Sequence, residues 1–148
     1  MTPPRILPPH YFLLALVLIL AIGYLEAGSL LPSPWPWLGV VPIAIGVLLA
    51  VQGSRLFARA GTNIIPFSES TALVTGGVFS FSRNPMYMGM VLALAGTALV
   101  MNSLAPWLVV IAFVAILRGH FIRHEEVLME QTFGADYLDY KSRVRRWL

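Results

Sequence analysis

The segment TGGVFSFSRNPMYMG, Thr75–Gly89, separates two apolar halves of the chain. It contains two adjacent glycines, one arginine and an Asn-Pro pair, and an apolar run follows it directly. Because proline fixes its own φ angle and lacks a backbone N–H, Pro85 is suited to the first turn of a helix. The segment therefore predicts a polar, irregular loop that ends where an apolar helix begins.

The composition places the chain among membrane proteins. Of its 148 residues, 57% are hydrophobic and only 11% are charged, whereas soluble globular domains carry about 25% charged residues. The length predicts a single domain, 1–148. Cysteine is absent from the sequence, which excludes disulfides and cysteine metal ligands. The net charge of +3 is explained below by membrane topology, so we expect no nucleic-acid partner.

Four apolar segments predict an all-α integral membrane protein built from two helical hairpins. Each segment is close to the ~20 residues that cross a hydrocarbon core of ~30 Å, and none alternates apolar and polar residues as a strand would. The segments are Tyr11–Leu31, Trp37–Phe57, Pro85–Met101 and Leu104–Ile122. The first is long and lacks a small-residue cleavage site, so we interpret it as a retained helix rather than a signal peptide.

The ten basic residues predict the orientation of these helices. They lie before the first segment, around the connection between the second and third, and at or after the end of the fourth. The other two connections, PSPWPW and NSLAP, carry no charge. Because cytoplasmic loops are enriched in Lys and Arg, we expect both termini and the middle loop to face the cytoplasm.

The middle loop, from about 58 to 84, is longer than the ~2–8 residues that a helix connection needs. Its apolar and aromatic residues argue against disorder. Gly76 and Gly77 permit left-handed backbone and the close approach of a ligand. The free N–H groups at the start of the third helix suit a carboxylate. Spacing alone leaves a ligand-binding loop and an ordinary re-entrant loop equally open.

The last polar segment, RGHFIRHEEVLMEQTFGADYLDYKSRVRRWL, predicts an amphipathic helical region on the cytoplasmic side, broken near Gly134. Glu125 and Glu126 lie next to the membrane, where a carboxylate is costly unless it is paired or used. Two solvated acids beside Arg123 are the alternative. We favour a functional role because the acids follow the end of a membrane helix.

Two further polar features have more than one interpretation. His120 and His124 have the i,i+4 spacing of a metal-binding pair, but no third ligand is evident, so we predict no metal site. Glu26 lies in the first apolar segment. An acid inside a membrane is a functional candidate, but Glu26 also fits a position near the outer interface, and both interpretations remain open.

Two blocks of the sequence resemble the isoprenylcysteine carboxyl methyltransferases and their bacterial relatives. LVTGGVFSFSRNPMYMG resembles the family signature LVTxGxYxxxRHPxYxG, and EEVLMEQTFGADYLDYKSRVRR resembles EExxLxxxFGxxYxxYxxxVxR. The match extends from about Thr71 to Arg146, with the blocks in the right order on either side of a helical hairpin. It implies a bacterial inner-membrane enzyme that binds S-adenosylmethionine as methyl donor on the cytoplasmic side, in the half of the chain from about 58 to 148.

The resemblance also implies which residues enclose the methyl donor. They come from the first block and from the paired acids: Thr71, Ala72, Leu73, Val74, Phe79, Asn84, Pro85, Met86, Tyr87, Glu125 and Glu126. The departures in the first block are Asn84 for the usual histidine, Phe79 for the usual tyrosine and Thr71 for a common histidine. In addition, Phe121 stands where the eukaryotic enzymes have arginine, a role open to Arg118 or Arg123.

The chemistry of the donor agrees with these residue types. Two carboxylates balance its sulfonium and amino cations, and Phe79, Phe81 and Tyr87 suit its adenine or sulfonium. Methyl transfer is an in-line displacement that depends on alignment. A carboxylate acceptor is ionised at neutral pH and needs no base, and Arg83 can orient it with two hydrogen bonds. An amine acceptor needs a base, for which His124 and Glu126 are the candidates.

We therefore predict methyl transfer to a lipophilic acceptor from the bilayer, at oxygen rather than nitrogen, with Arg83 and Glu126 as the catalytic pair. Three alternatives are a phospholipid N-methyltransferase, a sterol-type reductase with a nicotinamide cofactor, and a non-catalytic membrane scaffold that retains the motif. The short chain disfavours the reductase. Donor binding separates the scaffold from the enzymes, and the acceptor separates the enzymes from each other. The sequence specifies neither the acceptor nor the oligomeric state.

Reporter fusions test the predicted orientation. A fusion at Ser33 is expected to report the outer side and a C-terminal fusion the cytoplasm, because the uncharged connections contrast with ten basic residues elsewhere. A fusion at Ala60, in the middle loop, is the matched control and should agree with the C-terminal one. A C-terminus on the outer side would contradict both the topology and a site for a cytosolic methyl donor.

Overall fold

A computed structural model of the chain describes residues 7–26, 29–62 and 71–148, and its regular elements over these ranges are all helical. The α-helices are α1 Pro8–Leu25, α2 Val40–Arg59, α3 Pro85–Met101, α4 Pro106–Ile116 and α5 Arg123–Arg143. A π-helical turn, Leu117–Ile122, joins α4 to α5, and 3₁₀ turns at Trp35–Gly39 and Gly77–Ser80 precede α2 and α3. Three helical runs are long and apolar enough to cross a membrane, namely Pro8–Leu25, Trp35–Arg59 and Pro106–Arg143, and α3 is a shorter apolar helix.

The predicted all-α architecture of apolar helices is confirmed, with shifts at some helix ends. α3 has the predicted bounds. The fourth segment begins at Pro106 rather than Leu104, and it does not end at Ile122, because the π-helical turn continues directly into α5. α1 ends at Leu25 rather than Leu31, because the backbone of Glu26 is extended, with φ −84° and ψ 100°. α5 contains the predicted break, since Gly134 has a φ of 51° within the helix.

Two side chains join the connections at the end of the bundle that holds the uncharged loops. Asn102 ends α3 in the left-handed region, with φ 55°. Its Oδ1 accepts the N–H of Leu31 and its Nδ2 donates to the carbonyl of Leu31, each at 2.8 Å. Glu26 Oε2 accepts the N–H of Ala105 at 3.1 Å, at the start of α4. A carboxylate there caps the helix, so the structure supports a structural role for Glu26.

α3 lies at the centre of the helix bundle. It packs against α2 along its length and also against α1 and α4. In the described residues α1 has its main partners in α3 and α4, so the arrangement differs from two simple hairpins in which α1 would pack on α2. The buried core of the helix bundle includes Ile19 from α1, Leu94 from α3 and Phe113 from α4.

Four glycines bring α2 and α3 into backbone contact. Gly39, directly before α2, and Gly46 on α2 lie opposite Gly96 and Gly89 on α3, respectively. A Cβ added at any of the four would overlap the carbonyl oxygen of its partner. Both pairs repeat after seven residues, so each helix presents one row of glycines to the other. Close backbone approach at small residues is the usual basis of helix association in membranes. This contact sets the position of α3 along α2.

The variant Gly89→Ala tests the α2–α3 contact. Its methyl group would meet the backbone of Gly46, which cannot move as a side chain can, so we expect a loss of about 1–3 kcal/mol in unfolding free energy and a lower thermal midpoint in detergent. Gly119→Ala is the matched control, because nothing lies within 4 Å of its added Cβ. Equal midpoints for the two variants would contradict the backbone contact.

Candidate functional site

The two polar blocks of the sequence meet at the start of α3. The C-terminal segment after α5 leaves the helix at Val144, where the backbone is extended, and runs beside the end of the middle loop. Arg83 N–H donates to the carbonyl of Arg145 at 3.0 Å, and Asn84 Nδ2 donates to the carbonyl of Arg146, also at 3.0 Å. The C-terminal segment therefore forms part of the site through its main chain.

Glu126 is the centre of a buried ion cluster. Arg146 binds both of its oxygens, with Nε 2.9 Å from Oε1 and Nη2 2.5 Å from Oε2. Arg83 Nη1 lies 3.3 Å from Oε1. The side chains of Arg83 and Glu126 are each only 9% exposed, and that of Arg146 is 29% exposed. The cluster therefore joins the middle loop, α5 and the C-terminal segment, and it carries one positive charge in excess.

Arg83 does not use all of its donors in this cluster. Besides Glu126, Nη1 has one long contact, a 3.5 Å hydrogen bond to the hydroxyl of Tyr137. Its Nε is buried and has no hydrogen-bond partner among the described residues. A buried donor without a partner is costly, and the guanidinium has a fork geometry that matches a carboxylate. This donor is therefore a candidate partner for an anionic group.

Glu125 precedes Glu126 in the first turn of α5 but faces α3. Its Oε1 accepts the hydroxyl hydrogen of Tyr87 at 2.6 Å. The helical run Pro106–Arg143 has 38 residues, more than the ~20 that cross a bilayer, and Glu125 lies beyond the apolar part that ends at Ile122. Burial raises the pKa of Glu125 to about 7, against the lowering effect of the Tyr87 hydrogen bond and with a smaller contribution from the charge of Glu126.

Phe79 is held from two sides in the 3₁₀ turn before α3. Its carbonyl accepts the hydroxyl hydrogen of Tyr140 at 2.6 Å. Its ring packs edge-on against Phe57, with ring centres 5.3 Å apart, and the side chain is buried. The turn itself needs Gly77, which has a φ of 61°. The ring of Phe79 is therefore buried rather than exposed, and its role toward a ligand stays a prediction.

The structure brings together five of the residues predicted for the site. Arg83, Asn84, Tyr87, Glu125 and Glu126 are linked by the hydrogen bonds and ion pairs given above. Pro85 is the buried first residue of α3.

The segment 71–74 is connected elsewhere. Thr71 N–H donates to Thr62 Oγ1 at 3.0 Å, and Thr71 Oγ1 donates to the carbonyl of Gly61 at 3.3 Å. Ala72, Leu73 and Val74 are partly buried. These contacts place the start of the segment beside the end of α2, and the role of the four residues toward a ligand stays a prediction.

The pattern that suggested a metal pair gives a different arrangement. The rings of His120 and His124 are 6.1 Å apart, and no group of three or more His, Asp or Glu side chains in the described residues could hold a metal ion. Phe121 is fully buried, with its ring 5.6 Å from that of Tyr11. Arg118 and Arg123 are exposed.

Sequence reasoning missed Arg146, Tyr137 and Tyr140. All three belong to the second block, whose pattern YxxYxxxVxR gives their spacing. What the pattern lacks is the reversal after α5 that carries Arg146 back to Glu126, twenty positions earlier in the chain. The sequence predicted only an amphipathic helical region here, with no contact between its end and the paired acids.

Comparisons with known proteins agree with the resemblance noted from the sequence. The family described as phospholipid methyltransferase matches residues 35–136. The chain is 30% identical over 145 residues to protein-S-isoprenylcysteine O-methyltransferase B of Arabidopsis thaliana, a match that covers 91% of this chain and 71% of that protein. It is 40% identical over 112 residues to the protein-S-isoprenylcysteine O-methyltransferase of Saccharomyces cerevisiae, covering 72% of this chain and 46% of the yeast protein.

A third relative, protein-S-isoprenylcysteine O-methyltransferase A of Arabidopsis thaliana, is 29% identical over 112 residues, or 72% of this chain and 55% of that protein. The matches thus span between 46% and 71% of the length of these relatives. No solved structure matches the chain.

Proposed function

Because the chain belongs to the phospholipid methyltransferase family, we propose that it transfers a methyl group from S-adenosylmethionine to a carboxylate of a lipophilic acceptor at the cytoplasmic face of a membrane. An acceptor oxygen forms the new bond to the methyl carbon while the bond from that carbon to the donor sulfur breaks. The products are a methyl ester and S-adenosylhomocysteine. The observation that carries the proposal is the buried Arg83 with an unused Nε–H, next to Glu126 and the first turn of α3.

Glu125 is the residue proposed to hold the cationic part of the methyl donor. It is a partly buried carboxylate at the membrane edge whose partner, Tyr87, is a neutral hydroxyl. Such a carboxylate is stabilised by a cation, and the bound donor supplies an activated methyl on its sulfonium. The further contacts proposed from the family resemblance are Thr71, Ala72, Leu73, Val74, Phe79, Asn84, Pro85, Met86, Tyr87 and Glu126.

Arg83 is proposed to orient the acceptor's carboxylate. The ion cluster has an excess positive charge, and its free donor lies on the guanidinium of Arg83. A carboxylate acceptor is already ionised at neutral pH, so the reaction depends on alignment and not on a base. Both oxygens of Glu126 face arginines, which supports a positioning role for Glu126 and disfavours it as the base that an amine acceptor would need.

The apolar surface of the helices supports a bilayer as the environment. Leu13, Val17, Val47 and Leu48 on α1 and α2 are each between 53% and 61% exposed, as expected of side chains that face lipid. We propose that the acceptor's apolar part enters from this bilayer. With the charge distribution of the connections, the proposal places both termini in the cytoplasm, in a bacterial inner membrane.

Glu125→Gln tests the donor site. We expect calorimetry in detergent at pH 7.5 to show binding of S-adenosylmethionine to the wild type and at least tenfold weaker binding to the variant, because the amide cannot balance a cation. The wild-type affinity should also fall about tenfold between pH 7.5 and 6, as a carboxyl with a pKa near 7 becomes protonated.

The pH series of the variant is the control for titration of the donor itself. The additional loss of affinity below pH 7 should be absent from Glu125→Gln. Glu130→Gln, a change of the same type further along α5 at a surface pair with Lys141, should bind as the wild type does. Absence of binding to the wild type would favour the scaffold interpretation, and equal affinities of Glu125→Gln and wild type would remove Glu125 from the site.

Arg83→Lys tests the acceptor site. Lysine keeps the charge but loses the two-pronged geometry, so we expect a folded protein whose methyl transfer is reduced at least tenfold. The assay follows labelled methyl groups from S-adenosylmethionine into N-acetyl-S-farnesylcysteine, with thermal stability measured in parallel. Arg59→Lys, at an exposed position near the end of α2, is the matched control. Near-normal transfer by Arg83→Lys would contradict an orienting role.

The same assay separates the acceptor classes. The amide analogue of N-acetyl-S-farnesylcysteine lacks the carboxylate and should receive no label. Vesicles of phosphatidylethanolamine test N-methylation. Label in the phospholipid and none in the carboxylate probe would overturn the proposed reaction in favour of phospholipid N-methyltransfer.

A further inference from the structure

Arg146 and Arg83 both contact the carboxylate of Glu126, but Arg146 makes more contacts, and shorter ones. Arg146 reaches Glu126 with two atoms, Nε on Oε1 and Nη2 on Oε2. Arg83 reaches it with Nη1 alone, at the longer distance of 3.3 Å. Paired arginine and carboxylate groups favour the two-pronged geometry, and Arg146 occupies that position here.

The contacts that Arg146 makes with Glu126 bear on the contacts left for Arg83. A carboxylate free of Arg146 could turn to meet the fork of Arg83, and the buried Nε–H would then gain an acceptor. In the observed arrangement Nε has no partner among the described residues. The unused donor of Arg83 thus occurs together with the pairing of Arg146 and Glu126.

We propose that Arg146 is a positioning residue for methyl transfer: by binding both oxygens of Glu126, it keeps the Nε–H of Arg83 available for the acceptor's carboxylate. The inference rests on the proposed function for the identity of the acceptor. It goes beyond that function because Arg146 acts through Glu126 and Arg83 and touches no reacting atom. Arg146 also supplies the positive charge that makes the cluster attractive to a second carboxylate.

The main-chain role of the C-terminal segment can be separated from this side-chain role. The carbonyl of Arg146 accepts hydrogen bonds from Asn84 Nδ2 and Ser82 Oγ, at 3.0 and 3.3 Å. The carbonyl of Arg145 accepts from the N–H of Arg83. None of these bonds involves the guanidinium of Arg146. Side-chain variants at 146 therefore leave the main-chain contacts of the segment available.

Steady-state kinetics of full-length variants tests the proposal, with N-acetyl-S-farnesylcysteine and S-adenosylmethionine as substrates. We expect Arg146→Gln to raise the KM for the acceptor about tenfold or more, with donor affinity unchanged by calorimetry. Arg146→Lys should lie between the wild type and Arg146→Gln, because it keeps the charge but loses the two-pronged geometry. Arg143→Gln is the matched control. Its side chain is 67% exposed and pairs with Asp139 on the surface, so its kinetics should equal those of the wild type.

The double variant Glu126→Gln/Arg146→Gln distinguishes positioning from tethering. If Arg146 acts by occupying Glu126, removal of the carboxylate frees Arg83 again, and the double variant should have a lower acceptor KM than Arg146→Gln. If Arg146 only tethers the C-terminal segment, removal of Glu126 brings no recovery. A double variant no better than Arg146→Gln would overturn the proposal. Should Arg146→Gln fail to fold, the same comparison is made with Arg146→Lys.

Exchange of the Arg83 Nε–H, followed by NMR of the ¹⁵N-labelled protein in micelles, gives a readout that needs no acceptor. Capture of Arg83 by Glu126 in Arg146→Gln should slow the exchange of this proton relative to the wild type, and Glu126→Gln/Arg146→Gln should reverse the effect. Unchanged exchange in Arg146→Gln would overturn the proposal even if transfer is observed. Conversely, slowed exchange without transfer to any probe would locate the failure in the proposed function and not in the role of Arg146.

Discussion

The arrangement of the middle loop, α5 and the C-terminal segment depends on one buried carboxylate, that of Glu126. An ionised carboxyl removed from water requires partners of opposite charge, and loss of one partner of a buried pair costs about 3–5 kcal/mol. Glu126 draws these partners from two distant parts of the chain, Arg83 in the middle loop and Arg146 near the C-terminus. The need to pair this one charge therefore holds the loop, α5 and the C-terminal segment together.

The two adjacent acids are not equivalent, because successive residues on an α-helix point about 100° apart. Glu126 faces the loop and the C-terminal segment, where two guanidinium groups compensate its charge. Glu125 faces α3 and a single neutral hydroxyl, that of Tyr87, and burial raises its pKa to about 7. The charge of Glu126 is thus compensated by two guanidinium groups, whereas the hydrogen-bond partner of Glu125 is neutral. A cationic ligand gains most from the second, and an anionic ligand gains most beside the first.

The sequence was sufficient for the helices and for part of the site. Apolar runs and Pro85 predicted α3 to the residue, since hydrophobic length and proline act locally. The two blocks correctly associated Arg83 with the paired acids. The cap formed by Glu26 and the return of Arg146 to Glu126 could not be predicted, because both join residues far apart in the chain. The seven-residue glycine spacing is visible in the sequence, but the pairing of Gly46 with Gly89 requires the fold.

α3 is held at three levels, and this bears on a reaction that depends on alignment. Its far end is fixed by Asn102, which binds the backbone of Leu31. Its middle is fixed by the glycine contacts with α2, which matter more in lipid than in water because no hydrophobic force drives the helices together. Its first turn is fixed by Asn84 and by the ion cluster.

In-line transfer loses rate when the reacting atoms are misplaced by as little as ~1 Å. A helix that could slide would move Tyr87, and with it Glu125, relative to Arg83. The three contacts oppose that movement, so they favour a constant spacing between Glu125 and Arg83, the two groups proposed to hold the donor and the acceptor.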